Sequence, residues 1–108
     1  MRLPRDTVIA REKVTGYLLR WREEDDKSAF LALAGYTLEN AEQLITDLRE
    51  QLMTLDAEFI EDTEYGPKYR IRGALTGPNG RALRVVTIWM ADEAAGVMKL
   101  LTLYPEKI

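Results

Sequence analysis

Two residue types that carry much of enzyme chemistry are missing from this 108-residue chain, which has no cysteine and no histidine. Without cysteine there is no disulfide framework, no thiolate nucleophile and no zinc–thiolate site. Without histidine the commonest general base and the commonest transition-metal ligand are gone. Serine occurs once, at Ser28, with no imidazole to activate it. Ser-His-Asp and Cys-His catalysis are excluded. Long apolar runs are absent too. The amino-terminal stretch MRLPRDTVIAREKV carries a charge every few residues and reads as neither a secretory signal nor a membrane span. The expectation is a cytoplasmic protein without membrane association.

What remains suits one soluble domain. Hydrophobic residues make up 46% and charged residues 31%, a globular profile rather than a disordered one. A chain of this length buries roughly two thirds of its surface on folding and can form a core without staples. No repeat, low-complexity tract or linker divides it. Residues 1–108 therefore read as a single domain, helical over about 10–54 and sheet-forming over about 56–105.

The charge is unevenly spread. Net charge is −3, yet from Tyr65 to Ala91 there are five bases (Lys68, Arg70, Arg72, Arg81, Arg84) and no acid. All 18 acids lie outside that window. An acidic chain with one basic segment is a poor indiscriminate nucleic-acid binder, but the segment can offer a local surface to phosphate.

Periodicity divides the chain into helices followed by strands. EKVTGYLLRW sets Val14, Tyr17, Leu18 and Trp21 on one helical face. A short strand over Thr7 to Ile9 precedes it. Asp26 is placed to cap a second helix in KSAFLALAG, with Gly35 at its left-handed end. Thr37 caps a third, whose stripe is Leu38, Ala41, Leu44, Ile45, Leu48 and Leu52. After Leu55 the period becomes alternating. AEFIEDTEY, KYRIRGALT, RALRVVTIWM and VMKLLTLY predict four strands. Gly66-Pro67 reads as a two-residue hairpin turn and GPNG (77–80) as a four-residue loop. The predicted fold is α+β, with N-terminal helices packed on one face of a four-stranded antiparallel meander.

Those two turns set a register, and the register sets faces. Tyr65 then pairs with Lys68, Thr63 with Arg70 and Glu61 with Arg72. On the other side Arg72 faces Val85, Arg70 faces Thr87 and Lys68 faces Trp89. The open face would carry Glu61, Lys68, Arg70, Arg72, Thr87 and Trp89, joined in one register of the last strand by Thr102 and Tyr104. Tyr69 and Ile71 would share the helix-covered face with Val86 and Ile88. Guanidinium groups beside hydroxyls can hold a phosphodiester and stabilise added charge, while aromatic rings can stack on splayed-out bases. A cross-strand ion-pair ladder on a solvated surface is the plainer reading of the same residues.

Other motifs are quieter. EEDD (23–26) lacks the spaced ligands and glycine of a calcium loop and reads as helix capping, so no metal is expected. GPNG is followed by no lysine–serine/threonine pair and is a turn, not a phosphate loop.

Four segments, EKVTGYLL, KSAFLALAGYTLENAEQL, TEYGPKYRIRGALTGPNGRALRVVTIWM and LLTLYP, together resemble a family of small bacterial domains. These are largely uncharacterised and occur alone or at the ends of larger toxin-like proteins. The resemblance spans residues 8–105, and EYG-KY, G-L-TGP-GR and T-YP are its most specific parts. By its helices-then-sheet order the family is similar to the ribonuclease-like toxin fold shared by barnase, EndoU, certain colicins and RelE-type toxins. That similarity implies metal-independent, cofactor-free RNA cleavage through attack of the 2′-hydroxyl, leaving 2′,3′-cyclic phosphate ends.

The family's helical lysine matches Lys27, followed by Ser28, Ala29 and Phe30; its strand positions match Tyr65, Lys68, Tyr69, Thr87, Thr102 and Tyr104. Where members often place glycine and histidine before the lysine, this chain has EEDD.

The candidate catalytic residues are Lys27, Arg70, Thr102 and Tyr104. Candidates for phosphate or RNA contact are Lys68, Arg72, Thr87 and Trp89. RNA and a cognate antitoxin of a toxin–antitoxin system are the expected partners, with monomer and homodimer both open. The alternative is a non-catalytic interaction or self-associating domain using the same face.

Overall fold

The computed structural model describes residues 1–107, and the α+β architecture is the one expected. Val14 and Leu18, four positions apart, are fully buried and seat the first helix, in which α1 (Arg11–Lys13) runs on into a π-helical turn (Val14–Leu18). Trp21, expected on the same face, lies beyond the helix end and is 71% exposed. The chain leaves the helical path at Leu19, so the periodicity that reached Trp21 had no helix to act on.

Asp26 stands two residues before the second helix, α2 (Ser28–Ala32), whose N-cap position is Lys27. That carboxylate accepts from the backbone N–H groups of Ser28 (3.3 Å) and Ala29 (3.2 Å) and from the Ser28 hydroxyl (2.7 Å), satisfying donors a helix start leaves orphaned. Gly35, at φ +94°, closes the following turn as expected. The third helix comprises a 3₁₀ turn (Leu38–Asn40), α3 (Ala41–Asp47) and a π-helical turn (Leu48–Leu52). Its stripe of Ala41, Leu44, Leu48 and Leu52 is buried.

Strands β1 (Glu58–Thr63), β2 (Gly66–Thr76), β3 (Ala82–Asp92) and β4 (Val97–Pro105) form an antiparallel meander in the order β1-β2-β3-β4. The helical stripes meet the sheet face that carries Ile71, Leu75, Val85, Trp89 and Leu103 in one continuous core. The predicted strand at Thr7 to Ile9 is a single parallel bridge from Val8 to Lys99 on the β4 edge, with Val8 N–H donating to the Met98 carbonyl at 2.7 Å. Among the described residues no helix is long and apolar enough to cross a membrane.

Both predicted turns are displaced, and the register moves with them. Thr63 pairs with Gly66, so the hairpin turn is Glu64-Tyr65 rather than Gly66-Pro67. Gly66 instead opens β2 at φ +137°, where a Cβ would stand 1.8 Å from the Ala91 carbonyl oxygen. Glu61 therefore faces Lys68, and a β1 irregularity at Ile60 brings Glu58 opposite Arg70.

The second loop has five residues, 77–81, because Thr76 pairs with Ala82 and Gly77 N–H donates to the Arg81 carbonyl at 3.0 Å. One extra loop residue exchanges the two faces of β3. Arg72 faces Val86, Arg70 faces Ile88 and Lys68 faces Met90, while Thr87 and Trp89 turn into the core beside Ile71 and Tyr69.

Candidate functional site on the open sheet face

Residues directly opposite one another in a ladder share a face, and the register builds three rows on the face away from the core. Arg72, Val86 and Tyr104 form one, and Glu58, Arg70, Ile88 and Thr102 the next. Glu61, Lys68, Met90 and Lys99 form the third. Thr102 and Tyr104 thus share the face of Lys68, Arg70 and Arg72, as one register of the last strand allowed, but opposite Ile88 and Val86 rather than beside Thr87 and Trp89. Val86 and Met90 are buried yet stand outside the helix-side core, consistent with an apolar floor along β3 flanked by long cationic side chains.

Thr87 and Trp89, the two residues expected on this face, do structural work on the other. Both are fully buried; the Trp89 indole N–H donates to Thr87 Oγ1 (2.8 Å), and that hydroxyl donates to the Ile71 carbonyl (3.0 Å). The pair satisfies its polar atoms inside the core and reaches no ligand on the open face. Tyr69 also faces the helix side, edge-on to Phe59 with ring centroids 6.0 Å apart, and Tyr65 projects from the β1–β2 turn.

At the β1–β2 side of the open face one carboxylate serves two arginines. Glu58 Oε2 is 3.3 Å from Arg70 Nη2, and Oε1 is 3.2 Å from Arg72 Nη2. Hydrogen bonds from Arg72 and then Arg70 hold the Glu58 carboxyl below the ordinary carboxylate range. The predicted register set Arg72 opposite Glu61 and Arg70 opposite Thr63; the partner of both is Glu58. Arg70 Nε is buried with no hydrogen-bond partner among the described residues. Lys68 Nζ lies 3.9 Å from Glu61.

At the β4 side the loop before α2 meets the last strand. Lys27 is only 12% exposed; its Nζ lies 2.9 Å from Asp25 Oδ1 and 5.9 Å from the centroid of the Tyr104 ring, within reach of a cation–π attraction. Tyr17 Oη stands 3.2 Å from Thr102 Oγ1 and donates to Asp25 Oδ2 at 3.3 Å. Lys13 and Arg22 lie over the Tyr17 ring at 5.4 and 5.1 Å. The Lys27 hydrogen bond and charge hold the Asp25 carboxyl low.

Asp25 sits at φ +54°, a left-handed conformation that it alone adopts among the described non-glycine residues. Aspartate tolerates that region better than most side chains, though at some strain.

The structure thus brings together Lys27, Thr102 and Tyr104, three of the four catalytic candidates. Arg70 stands in the Thr102 row two strands away, roughly 10 Å at backbone level. Tyr17, Asp25 and Glu58 complete the face and were missed. In the sequence Tyr17 falls in the stripe of the first helix and Asp25 in the acidic run EEDD, where neither stands out. A signal did exist for Asp25, since it stands two positions before Lys27 in the acid run.

The sequence profile of a family described as Domain of unknown function (DUF6883) matches residues 4–107, nearly the whole chain. The chain belongs to that family. No curated protein matches it in sequence. Among solved structures, the DUF6883 fold is similar to one chain of a contact-dependent growth inhibition toxin–immunity protein complex from Klebsiella pneumoniae 342. The TM-score is 0.68 at 13% identity, over 93% of this chain and 100% of that one. At that identity the likeness is one of fold.

Proposed function

We propose that this DUF6883 domain is a toxin-like ribonuclease that cleaves RNA without a metal on the open sheet face. The observation that carries the reading is the convergence of Lys27, Thr102 and Tyr104, from segments 75 residues or more apart, with Tyr17 bonded into the same cluster. In the reaction the RNA 2′-oxygen bonds to the adjacent phosphorus as it gives up its proton. The bond from phosphorus to the 5′-oxygen breaks, and that oxygen takes up a proton, leaving a 2′,3′-cyclic phosphate and a 5′-hydroxyl. Lys27 and Tyr104 are the groups at hand to move those protons. The Lys27 ammonium and the Arg70 guanidinium lower the cost of charge gathering on the phosphoryl oxygens. Thr102 positions through its hydroxyl, and Lys68 and Arg72 hold neighbouring phosphates.

A small inhibitory protein would be the natural partner of such a domain. Support for it comes from the fold shared with a chain of the toxin–immunity complex.

A second reading, a non-catalytic interaction domain, draws on Glu58, which already occupies Arg70 and Arg72. The two separate in one experiment. Labelled single-stranded RNA and tRNA are incubated in EDTA with wild type, Arg70→Ala and Thr102→Val. Cleavage that falls at least tenfold in both variants supports the ribonuclease. Absence of both cleavage and RNA retention at high protein concentration favours the interaction domain.

A further inference from the structure

A second basic site lies away from the sheet rows. The amino-terminal segment and the end of the third helix form a half-open cavity of ≈ 460 Å³ lined by Arg2, Leu3, Arg5, Arg49, Met53 and Thr54. Three of those six residues are arginines and none is an acid. Arg49 is half-buried and anchored, its Nη1 donating to the Thr7 carbonyl at 2.9 Å. Arg5 is exposed and has no ion-pair partner among the described residues. The acid paired here, Asp56, stands 3.4 Å from Arg2 Nε and is itself 79% exposed. Met53, half-buried and 3.8 Å by its sulfur from Arg49 Nη1, supplies the apolar surface beside the charges, while Leu3, 6% exposed, belongs to the core.

We propose that this cavity binds a phosphate ester carrying an aromatic base, either a free nucleotide or one nucleotide of an RNA strand. Arg5 and Arg49 take the phosphate, because a guanidinium offers paired donors that match its oxygens. The base lies against Met53, whose thioether favours aromatic rings. The volume falls within the range of small-ligand sites. This site stands apart from the open sheet face and does not depend on RNA cleavage there.

The test is a titration of isotope-labelled protein, followed by NMR, with inorganic phosphate, adenosine 5′-monophosphate and an RNA trinucleotide. Saturable shifts at Arg5, Arg49 and Met53 are expected. Arg5→Ala should weaken nucleotide binding about tenfold or more, the scale of a lost charge-assisted hydrogen bond. Arg49→Lys, which keeps the charge but loses the fork, should weaken it as well. Arg81→Ala, an exposed arginine outside the cavity lining, should leave it unchanged.

A trinucleotide bound at least tenfold tighter than the mononucleotide identifies an RNA strand as the ligand; equal affinities identify the free nucleotide. No saturable shift with any of the three ligands up to about 10 mM overturns the proposal. Shifts that Arg5→Ala and Arg49→Lys both leave unaltered overturn it equally. The readout is binding away from the sheet, so a domain that cleaves no RNA still passes or fails on its own account.

Discussion

The hydroxyls of Tyr17 and Thr102 lie 3.2 Å apart, joining the first helix to the last strand across 85 positions of sequence. Tyr17 also holds Asp25, and Asp25 holds Lys27 beside the Tyr104 ring. Tyr17→Phe removes two contacts and nothing else, so the ring still packs. It should cost about 0.5–1.5 kcal/mol of stability and lower RNA cleavage about tenfold or more by loosening Lys27 and Thr102. Chemical denaturation and single-turnover cleavage measure the two effects. Unchanged cleavage with reduced stability would make the contact purely structural.

Thr87 belongs to the core. Thr87→Val keeps the shape but leaves the buried Trp89 indole N–H and the Ile71 carbonyl without their hydroxyl partner. A loss of about 1–3 kcal/mol is expected, with RNA retention by the folded variant unaltered. A urea titration read by tryptophan fluorescence, paired with a filter-binding assay, checks both. Loss of RNA binding at full stability would return Thr87 to the ligand face.

Glu58 competes with any phosphate for Arg70 and Arg72. Glu58→Gln removes the charge and should tighten binding of single-stranded RNA on the order of tenfold. The salt dependence should steepen as well, since more arginines become free to release counterions from the strand. Affinity measured across a salt series gives both numbers. Weaker binding in the variant would mean that Glu58 organises the arginines for RNA rather than blocking them.

Stability should fall at both ends of the pH scale. The Tyr36 hydroxyl donates to Asp47 Oδ2 at 2.6 Å, and burial, followed by the Asp47 hydrogen bond and charge, pushes its phenol well above the ordinary range. A raised folded value means that this contribution is fully present below the unfolded tyrosine pKa, about 10, and is lost as pH rises above it. On the acid side Glu58, Asp25, Asp26 and Asp92 are all held low, chiefly by Arg72, Lys27, Ser28 and Lys99 respectively. Their contributions are present above about pH 5 and decline as pH falls through the carboxylate range. Urea titrations across pH should therefore give a plateau between these limits. Tyr36→Phe should flatten the alkaline decline, and an unchanged decline would place its origin elsewhere.

The order of elements was legible because the period changes once, after Leu55, and Asp26 and Gly35 mark the ends of the second helical segment chemically. The faces of β3 were not. β2 alternates cleanly from Ile71 to Thr76, but Val85, Val86, Thr87, Trp89 and Met90 are all buried, so β3 offers no alternation to read. Its register therefore rested on the length of one loop, and a single residue there exchanged Thr87 and Trp89 with Val86 and Ile88. Thr102 and Tyr104 reach the expected face because two shifts cancel: set beside Thr87 and Trp89 by the sequence, they pair instead with Ile88 and Val86, which the longer loop had turned to that face. Glu58 escaped notice because the irregularity at Ile60 shifts β1 against β2, and nothing local in EFIED announces it.

The most direct measurement is the chemistry of the cut ends. RNA would be incubated in EDTA with wild type, Lys27→Ala and Tyr104→Phe, and the products analysed by mass spectrometry. Fragments ending in 2′,3′-cyclic phosphate with 5′-hydroxyl partners, formed at least a hundredfold more slowly by each variant, are the predicted result. Cleavage that requires an added metal, or that both variants perform at the wild-type rate, would contradict a metal-free site built on Lys27 and Tyr104.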